Sequence, residues 1–316
     1  MKILLISGFL GAGKTTFIKE LIKKTKVKAV IMENEYGDNN LDSIELQQAS
    51  EQQKKDIKVL EFMEGCVCCS MKDSFINSVL TIFSSLGPEY LIIEPTGVGR
   101  LSNIIDNLKP LLNSAVMLLK PVVVISPDAF AHNMREWQVL YEDQIRNAQI
   151  VVFSKCENTS SEVISDVARK VKELNPQAEI INNHYSGKDV EWWNHLLDIR
   201  ADDKESAGEG ASDKDVSFSQ ISVDTAGVHN IGELVVFLED CLHGVFGHVA
   251  RAKGTLWVDN EYMRFDLAER LYAITGAEDD HCQCVVIGQY LDERKIKERL
   301  CPGSGRTLVK RQGNIV

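Results

Sequence analysis

The sequence predicts an α/β protein in which a mostly parallel sheet, covered on both faces, is followed by a smaller α+β unit. Three observations carry that expectation. Short apolar, β-branched runs alternate with helical patterns through residues 1–199. The first run opens directly into a glycine-rich loop, Gly8-Phe9-Leu10-Gly11-Ala12-Gly13-Lys14-Thr15. The composition then breaks at residues 200–215, RADDKESAGEGASDKD, which is polar, glycine-containing and dense in charge.

Strands are expected at 2–7, 27–32, 57–62, 90–94, 122–126, 150–154 and 179–181. Most are nearly continuous apolar runs, the pattern of strands buried on both faces. Helices are expected between them, at 14–24, 73–86, 101–112, 134–147, 160–174 and 190–197. In such sheets ligands bind beyond the carboxyl ends of the strands. A chain of 316 residues suits two domains. The expected division is a domain over 1–199, a linker over 200–215 and a second domain over 216–316. In the latter, strands are expected at 216–223, 251–258 and 284–287 and a helix at 291–300, while 230–242 and 266–275 mix helical and loop signals.

A formal net charge of −11 argues against a nucleic-acid partner, whose phosphates would be repelled. No segment offers the roughly 18 apolar residues that a membrane span requires. The opening Lys-Ile-Leu-Leu-Ile run is too short for a secretory leader and ends in the glycine loop. The expectation is a cytoplasmic protein without a membrane partner. Its eight cysteines are then expected as thiols.

The glycine loop fits G-x-x-x-x-G-K-[ST] between a buried strand and a helix, the context of a phosphate-binding P-loop. Gly11 and Gly13 let the backbone curl so that the N–H groups of Gly11, Ala12, Gly13, Lys14, Thr15 and Thr16 face phosphate oxygens. The helix start adds its positive dipole end. Lys14 would stabilise charge on the β- and γ-phosphates and Thr15 would ligate Mg²⁺. Leu91-Ile92-Ile93-Glu94-Pro95-Thr96-Gly97 is an apolar strand ending in an acid, the place of the carboxylate that holds Mg²⁺ directly or through water. Gly97 could bring its N–H to the γ-phosphate.

Two further clusters lie at expected strand ends. Gly65-Cys66-Val67-Cys68-Cys69 places three thiols within four residues. Thiolates bind Zn²⁺ and other borderline cations, and three sulfurs leave a tetrahedral position for another ligand, as a transfer site needs. Small residues packed under the P-loop are the alternative; a redox role fits C-x-C poorly. Glu33-Asn34-Glu35-Tyr36-Gly37-Asp38 follows the second strand, where nucleotide-sensing segments lie, and Glu33 and Asp38 are candidate accessory ligands. A solvated acidic turn is the alternative there.

GFLGAGKTT, ENEYGD, GCVCC and EPTG, in this order and spacing, resemble the CobW-like P-loop GTPases, relatives of the HypB and UreG metallochaperones. Downstream, Asp143-Gln144-Ile145-Arg146-Asn147-Ala148 looks like the family's run into its base-recognition motif. Arg251-Ala252-Lys253-Gly254-Thr255-Leu256-Trp257 and Val286-Ile287-Gly288-Gln289-Tyr290-Leu291-Asp292 resemble its C-terminal domain. The resemblance implies slow GTP hydrolysis with Mg²⁺, coupled to binding of Zn²⁺ or Co²⁺ at Cys66, Cys68 and Cys69 and delivery to a client metalloprotein. It also admits a homodimer. Two departures stand out. The base motif reads Ser154-Lys155-Cys156-Glu157, so Lys155 would pack on the purine and Glu157, one methylene longer than the usual Asp, would accept from guanine. The linker holds no histidine, against the histidine-rich tract of some relatives.

Two other readings stay open on the sequence. One is a nucleotide-gated chaperone or regulator of a cobalamin- or other cofactor-dependent enzyme, with structural cysteines. The other is a small P-loop kinase, which leaves GCVCC and SKCE unexplained. His281-Cys282-Gln283-Cys284 reads as a strand with small residues inward or as a second metal site, and Trp192-Trp193 reads as packing.

Overall fold

A computed structural model describes residues 1–33, 58–61, 72–202, 218–277 and 282–301. The chain divides into two compact units, Met1–Ser217 and Phe218–Val316.

The first unit runs β1 (Lys2–Ser7), α1 (Lys14–Thr25), β2 (Ala29–Glu33), β3 (Lys58–Glu61), α2 (Lys72–Leu86), β4 (Tyr90–Glu94), α3 (Leu101–Leu108), β5 (Met117–Leu118), β6 (Val122–Ile125), α4 (Pro127–Glu136), α5 (Gln138–Asn147), β7 (Ile150–Phe153), α6 (Ser161–Leu174), β8 (Glu179–Ile181) and α7 (Val190–Leu196). Its strands lie in the order β3-β2-β4-β1-β6-β7-β8, with β5 also beside β1, and every pairing is parallel. β1 is therefore flanked by β4 and β6, and the chain crosses from one side of it to the other. That reversal opens a crevice at its carboxyl end, where the glycine loop begins. β2, β6 and β7 are buried along their whole length, as strands covered on both faces must be.

Helix α1 buries Phe17, Ile18, Leu21 and Ile22 toward the sheet. Phe17 meets Tyr185 and Trp193 with ring centroids 5.0 and 5.1 Å apart. Such ring pairs add about 0.5–1.5 kcal/mol beyond the area they bury. Trp193 is wholly buried and Trp192 is partly buried against the same core, so the tryptophan pair packs α7 under α1.

The larger departures from the expected boundaries fall in α4–α5, at the end of α3 and in β12–β13. The helix expected over 134–147 is two helices, α4 and α5, meeting at Trp137, whose φ of −129° breaks the helical ladder. Pro127, at the first turn of α4, starts that helix where its missing N–H costs nothing. The helix expected to reach 112 ends at Leu108, and Lys109–Leu111 tightens into a 3₁₀ turn around Pro110. In the second unit, the mixed signals at 266–275 resolve into strands. Residues 200–202, at the start of the stretch read as a linker, bond to the first unit: Leu119 bridges Arg200, and Gln149 exchanges hydrogen bonds with the Asp202 backbone at 3.0 and 3.1 Å. Residues 203–215 of that stretch lie outside the described residues.

The second unit comprises β9 (Ser219–Asp224), β10 (Gly227–Val228), α8 (Ile231–Leu242), β11 (His248–Val258), β12 (Glu261–Ala268), β13 (Leu271–Gly276), β14 (Gln283–Gln289) and α9 (Glu293–Leu300). The order β13-β12-β11-β14-β9 is antiparallel throughout, and β10 joins β11 in parallel. Leu234, Phe237 and Leu238 of α8 and Ile296 and Leu300 of α9 share one core with Leu256, Phe265, Cys284 and Val286 of the sheet. Phe265-Asp266-Leu267 of β12 and Leu271-Tyr272-Ala273-Ile274 of β13 alternate buried or half-buried with exposed residues, the mark of a sheet with one face in water. Asn230 and Asp292 cap α8 and α9 by accepting the amides of Glu233 and Lys295.

Cys284, the second thiol of the His281-Cys282-Gln283-Cys284 stretch, is wholly buried in this core, and burial pushes its thiol well above the ordinary range. Cys282 lies just before β14 and is half-buried, while His281 lies outside the described residues. Gly254 pairs with Cys284 where β11 and β14 run so close that a Cβ would come within 2.8 Å of the Cys284 Cα and overlap the Gln283 carbonyl oxygen. Gly254→Ala is expected to destabilise the protein by about 1–3 kcal/mol. Urea unfolding checks this, and an unchanged midpoint would contradict the β11–β14 register.

Candidate functional site

The glycine loop leaves β1 and curls back over its carboxyl end before α1 begins. Gly11 and Gly13 hold φ of 79° and 91°, in the left-handed region where a side chain is strained. Gly13 is the N-cap of α1, and its carbonyl accepts the amide of Phe17 at 3.0 Å. The first turn of α1 carries no acid and its last turn carries Lys23 and Lys24, so the side chains leave its N-terminus favourable to an anion. Lys14 is 6% exposed, and its Nζ donates to the Phe9 carbonyl at 3.3 Å, back across the loop.

The strand ends beside the loop supply carboxylates. Glu94, the last residue of β4, accepts from the Thr15 hydroxyl at 3.1 and 3.2 Å through its two oxygens. Glu33, the last residue of β2, stands in register with Glu94 and is buried. Thr15 and Glu94 are thus in direct contact at the carboxyl end of the sheet, with Glu33 in register beside Glu94. The loop after β4 lies directly on the glycine loop. A Cβ at Gly97 would sit 2.5 Å from the Leu10 nitrogen, so only glycine allows that approach.

The Ser154-Lys155-Cys156-Glu157 turn lies on the other flank. The Ser154 hydroxyl is buried and donates to the Ala12 carbonyl at 2.7 Å, tying this turn to the glycine loop. Lys155 takes a left-handed φ of 53° and is exposed. Burial, with the nearby Glu157 and Asp128 carboxylates, pushes the Cys156 thiol up to about 11. Thr159 donates to Asp128 at 2.9 Å, fastening the far end of the turn to α4. Glu157 is exposed, and its Oε1 lies 3.1 Å from His184 Nε2.

Two residues of the run that leads to the base motif, Asp143 and Gln144, position the loop after β4. Gln144 of α5 is wholly buried and donates to the Gly97 and Gly99 carbonyls, each at 3.1 Å. Its neighbour Asp143 accepts from the Ser102 amide at 3.1 Å and hydroxyl at 2.5 Å. Burial raises the Asp143 pKa, while those bonds and the nearby Arg100 charge oppose the rise. The pair holds the Gly97–Ser102 loop against the glycine loop from behind. A signal existed: Leu140, Tyr141, Gln144 and Ile145 follow the helical period, so Gln144 falls on the buried face of α5, where a polar side chain needs partners. His184 offered no pattern by which to find it.

Cys66, Cys68, Cys69 and Asp38 lie outside the described residues. Among the described residues, no cluster of three or more His, Cys, Asp or Glu side chains could hold a metal ion, and no helix is long and apolar enough to cross a membrane.

A parallel sheet whose central strand feeds a P-loop, with an acid on the neighbouring strand end, defines a nucleotide-binding protein of the P-loop class. Residues 2–182 match the family described as CobW/HypB/UreG, nucleotide-binding domain, and residues 218–301 match the cobalamin synthesis protein CobW C-terminal domain. The chain belongs to the CobW/HypB/UreG family of P-loop GTPases. It is similar to the zinc chaperone YjiA of Escherichia coli, 25% identical over 318 residues that cover 93% of this chain and 95% of that one. The zinc chaperone YeiR of the same organism is 28% identical over 198 residues, 62% of this chain and 57% of its own. The chain spans about half the length of several curated relatives it matches. The solved zinc-bound YjiA GTPase from E. coli aligns with a TM-score of 0.44 at 18% identity, over 95% of this chain and 97% of that one.

Replacing Gln144 with Leu keeps the volume but strands two buried carbonyls. The cost is expected to be about 1–3 kcal/mol in chemical denaturation, with weaker nucleotide binding as the Gly97 loop loosens. Unchanged stability would show that those carbonyls have other partners.

Proposed function

We propose that this protein is a GTP-hydrolysing metallochaperone that binds a divalent metal, zinc in the first instance, and delivers it to a client protein. The observation that carries the reading is the meeting of Lys14, Thr15 and Glu94 at the crevice where β1 reverses the strand order. The GCVCC cluster, which follows β3 in the sequence, adds the cargo ligands. The names of the relatives, zinc chaperones and zinc-regulated activators, favour zinc over cobalt.

In this reading the backbone amides of Gly11–Thr16 cradle the phosphates and Gly97 approaches the γ-phosphate. Lys14 swings from the Phe9 carbonyl to a phosphate oxygen, exchanging a neutral acceptor for an anionic one. The Thr15 hydroxyl and Glu94 carboxylate are hard oxygen donors a single hydrogen bond apart, and such a pair suits Mg²⁺, which takes few protein ligands beside phosphate and water. When bound there, Mg²⁺ would neutralise charge on the β- and γ-phosphates. Lys155 packs its stem on the purine and Glu157 accepts from the guanine N1–H and N2–H₂ groups. Cys66, Cys68 and Cys69 bind the cargo as thiolates, with Glu33 or Asp38 as an accessory ligand. GTP favours binding of the cargo at those ligands, and hydrolysis to GDP and phosphate releases it. The setting is cytoplasmic, and the second domain meets the client.

Lys14→Ala is expected to lower GTP hydrolysis by about 100- to 1,000-fold, because it removes one preorganised charge from the transferring phosphoryl group. A phosphate-release assay checks this, and hydrolysis at the parent rate would contradict the P-loop assignment.

Metal and nucleotide affinities are expected to be linked. If GTP lowers the cost of assembling the thiolate site, bound metal raises GTP affinity by the same factor, typically about 5- to 150-fold. Metal binding is expected to weaken as pH falls, since ligating thiols must lose their protons. Competition with a metal indicator, run with a GTP analogue, with GDP and without nucleotide, measures both effects. Equal metal affinity in all three states, or unchanged affinity in a Cys66/Cys68/Cys69 triple serine variant, would contradict the metallochaperone reading.

A further inference from the structure

We infer that His184 is a specificity-determining residue: it holds the Glu157 carboxylate in the pose that reads guanine and so makes up for the extra methylene of Glu157. This rests on the assignment of Glu157 to base recognition.

The inference starts from a long side chain on an exposed turn. Glu157 has more freedom than an aspartate at the same place, and each rotor left loose must be frozen when the base arrives. One contact removes that freedom beforehand. His184 Nε2 lies 3.1 Å from Glu157 Oε1, across a sequence separation that joins the turn after β7 to the turn after β8.

The direction of that bond follows from the other ring nitrogen. His184 Nδ1 accepts the backbone amide of Ser186 at 3.2 Å and lies 2.7 Å from the Ser186 hydroxyl. A backbone N–H only donates, so Nδ1 presents a lone pair and the ring proton sits on Nε2. His184 therefore donates to Glu157 as a neutral imidazole.

The ring itself is braced. It stacks on Tyr185 with centroids 4.5 Å apart, and Tyr185 is buried against Phe17 of α1. The positioning thus runs from the helix that follows the P-loop, through Tyr185 and His184, to the carboxylate. A carboxylate has about four lone-pair sites, and His184 uses one at Oε1. Oε2 and the remaining Oε1 site are left for the two donors on the guanine edge. Adenine presents an acceptor at N1, and the pinned carboxylate has nothing to offer it.

Competition binding of GDP and ADP to the full chain tests this, using the ratio of their affinities. His184→Ala is expected to lower the GDP-over-ADP ratio about two- to fivefold, the size of an exposed ion-dipole or ion-pair contact. ADP affinity is expected to hold, which reports an intact P-loop. His184→Gln, which keeps an N–H donor near the Nε2 position, is expected to recover part of the ratio. In a Glu157→Ala background, His184→Ala is expected to change nothing further. An unchanged ratio in His184→Ala, alongside a ratio lost in Glu157→Ala, would overturn the role of His184 and leave the base-recognition reading standing. An equal fall in GDP and ADP affinity, or the same fall in the Glu157→Ala background, would mark His184 as structural and overturn the inference. A ratio unmoved by Glu157→Ala would overturn both.

Discussion

The structure of the first unit depends on one constraint: the P-loop backbone is packed against the backbones of the strand ends on either side of it. At Gly8 a Cβ would overlap the Val124 carbonyl oxygen of β6, and at Gly97 it would press on Leu10. The Ser154 hydroxyl reaches the Ala12 carbonyl from the third side. The glycine loop is thus fixed by two backbone approaches that leave no room for a side chain and by one buried hydroxyl bond. A loop held this way has little conformational freedom left to lose when a ligand binds.

The same packing explains how functional groups far apart in sequence come to share one edge. Glu94 reaches Thr15 because β4 is the neighbour of β1, and Glu33 reaches the same edge because β2 is the neighbour of β4. The segments that follow β2 and β3 begin there. The register of the adjacent parallel strands brings the last residues of β2, β3 and β4, Glu33, Glu61 and Glu94, to that edge.

Much of this was legible in the chain itself. The apolar runs of β1 and β4 match their strands to the residue, because nearly continuous burial leaves a continuous apolar signal. Lys14, Thr15 and Glu94 were legible because phosphate chemistry fixes residue type and spacing. The α4–α5 break at Trp137 was not, since only a single backbone angle ends the ladder there. Residues 266–275 give mixed signals because Asp266-Leu267-Ala268 and Leu271-Tyr272-Ala273-Ile274 combine helix-favouring residues with strand formers, and the strands owe their form to cross-strand pairing. Gln144 and His184 act through tertiary contacts, and nothing in their local spacing names the groups they meet.

The central claim is that Thr15 and Glu94 together serve the magnesium complex of the nucleotide. Calorimetric titration of the protein with a non-hydrolysable GTP analogue, with and without Mg²⁺, tests it most directly when repeated on Thr15→Val. The account predicts that Mg²⁺ tightens binding to the parent protein and that Thr15→Val loses this gain while keeping the weaker magnesium-free affinity. A magnesium gain that survives in Thr15→Val, or is missing from the parent, would contradict it.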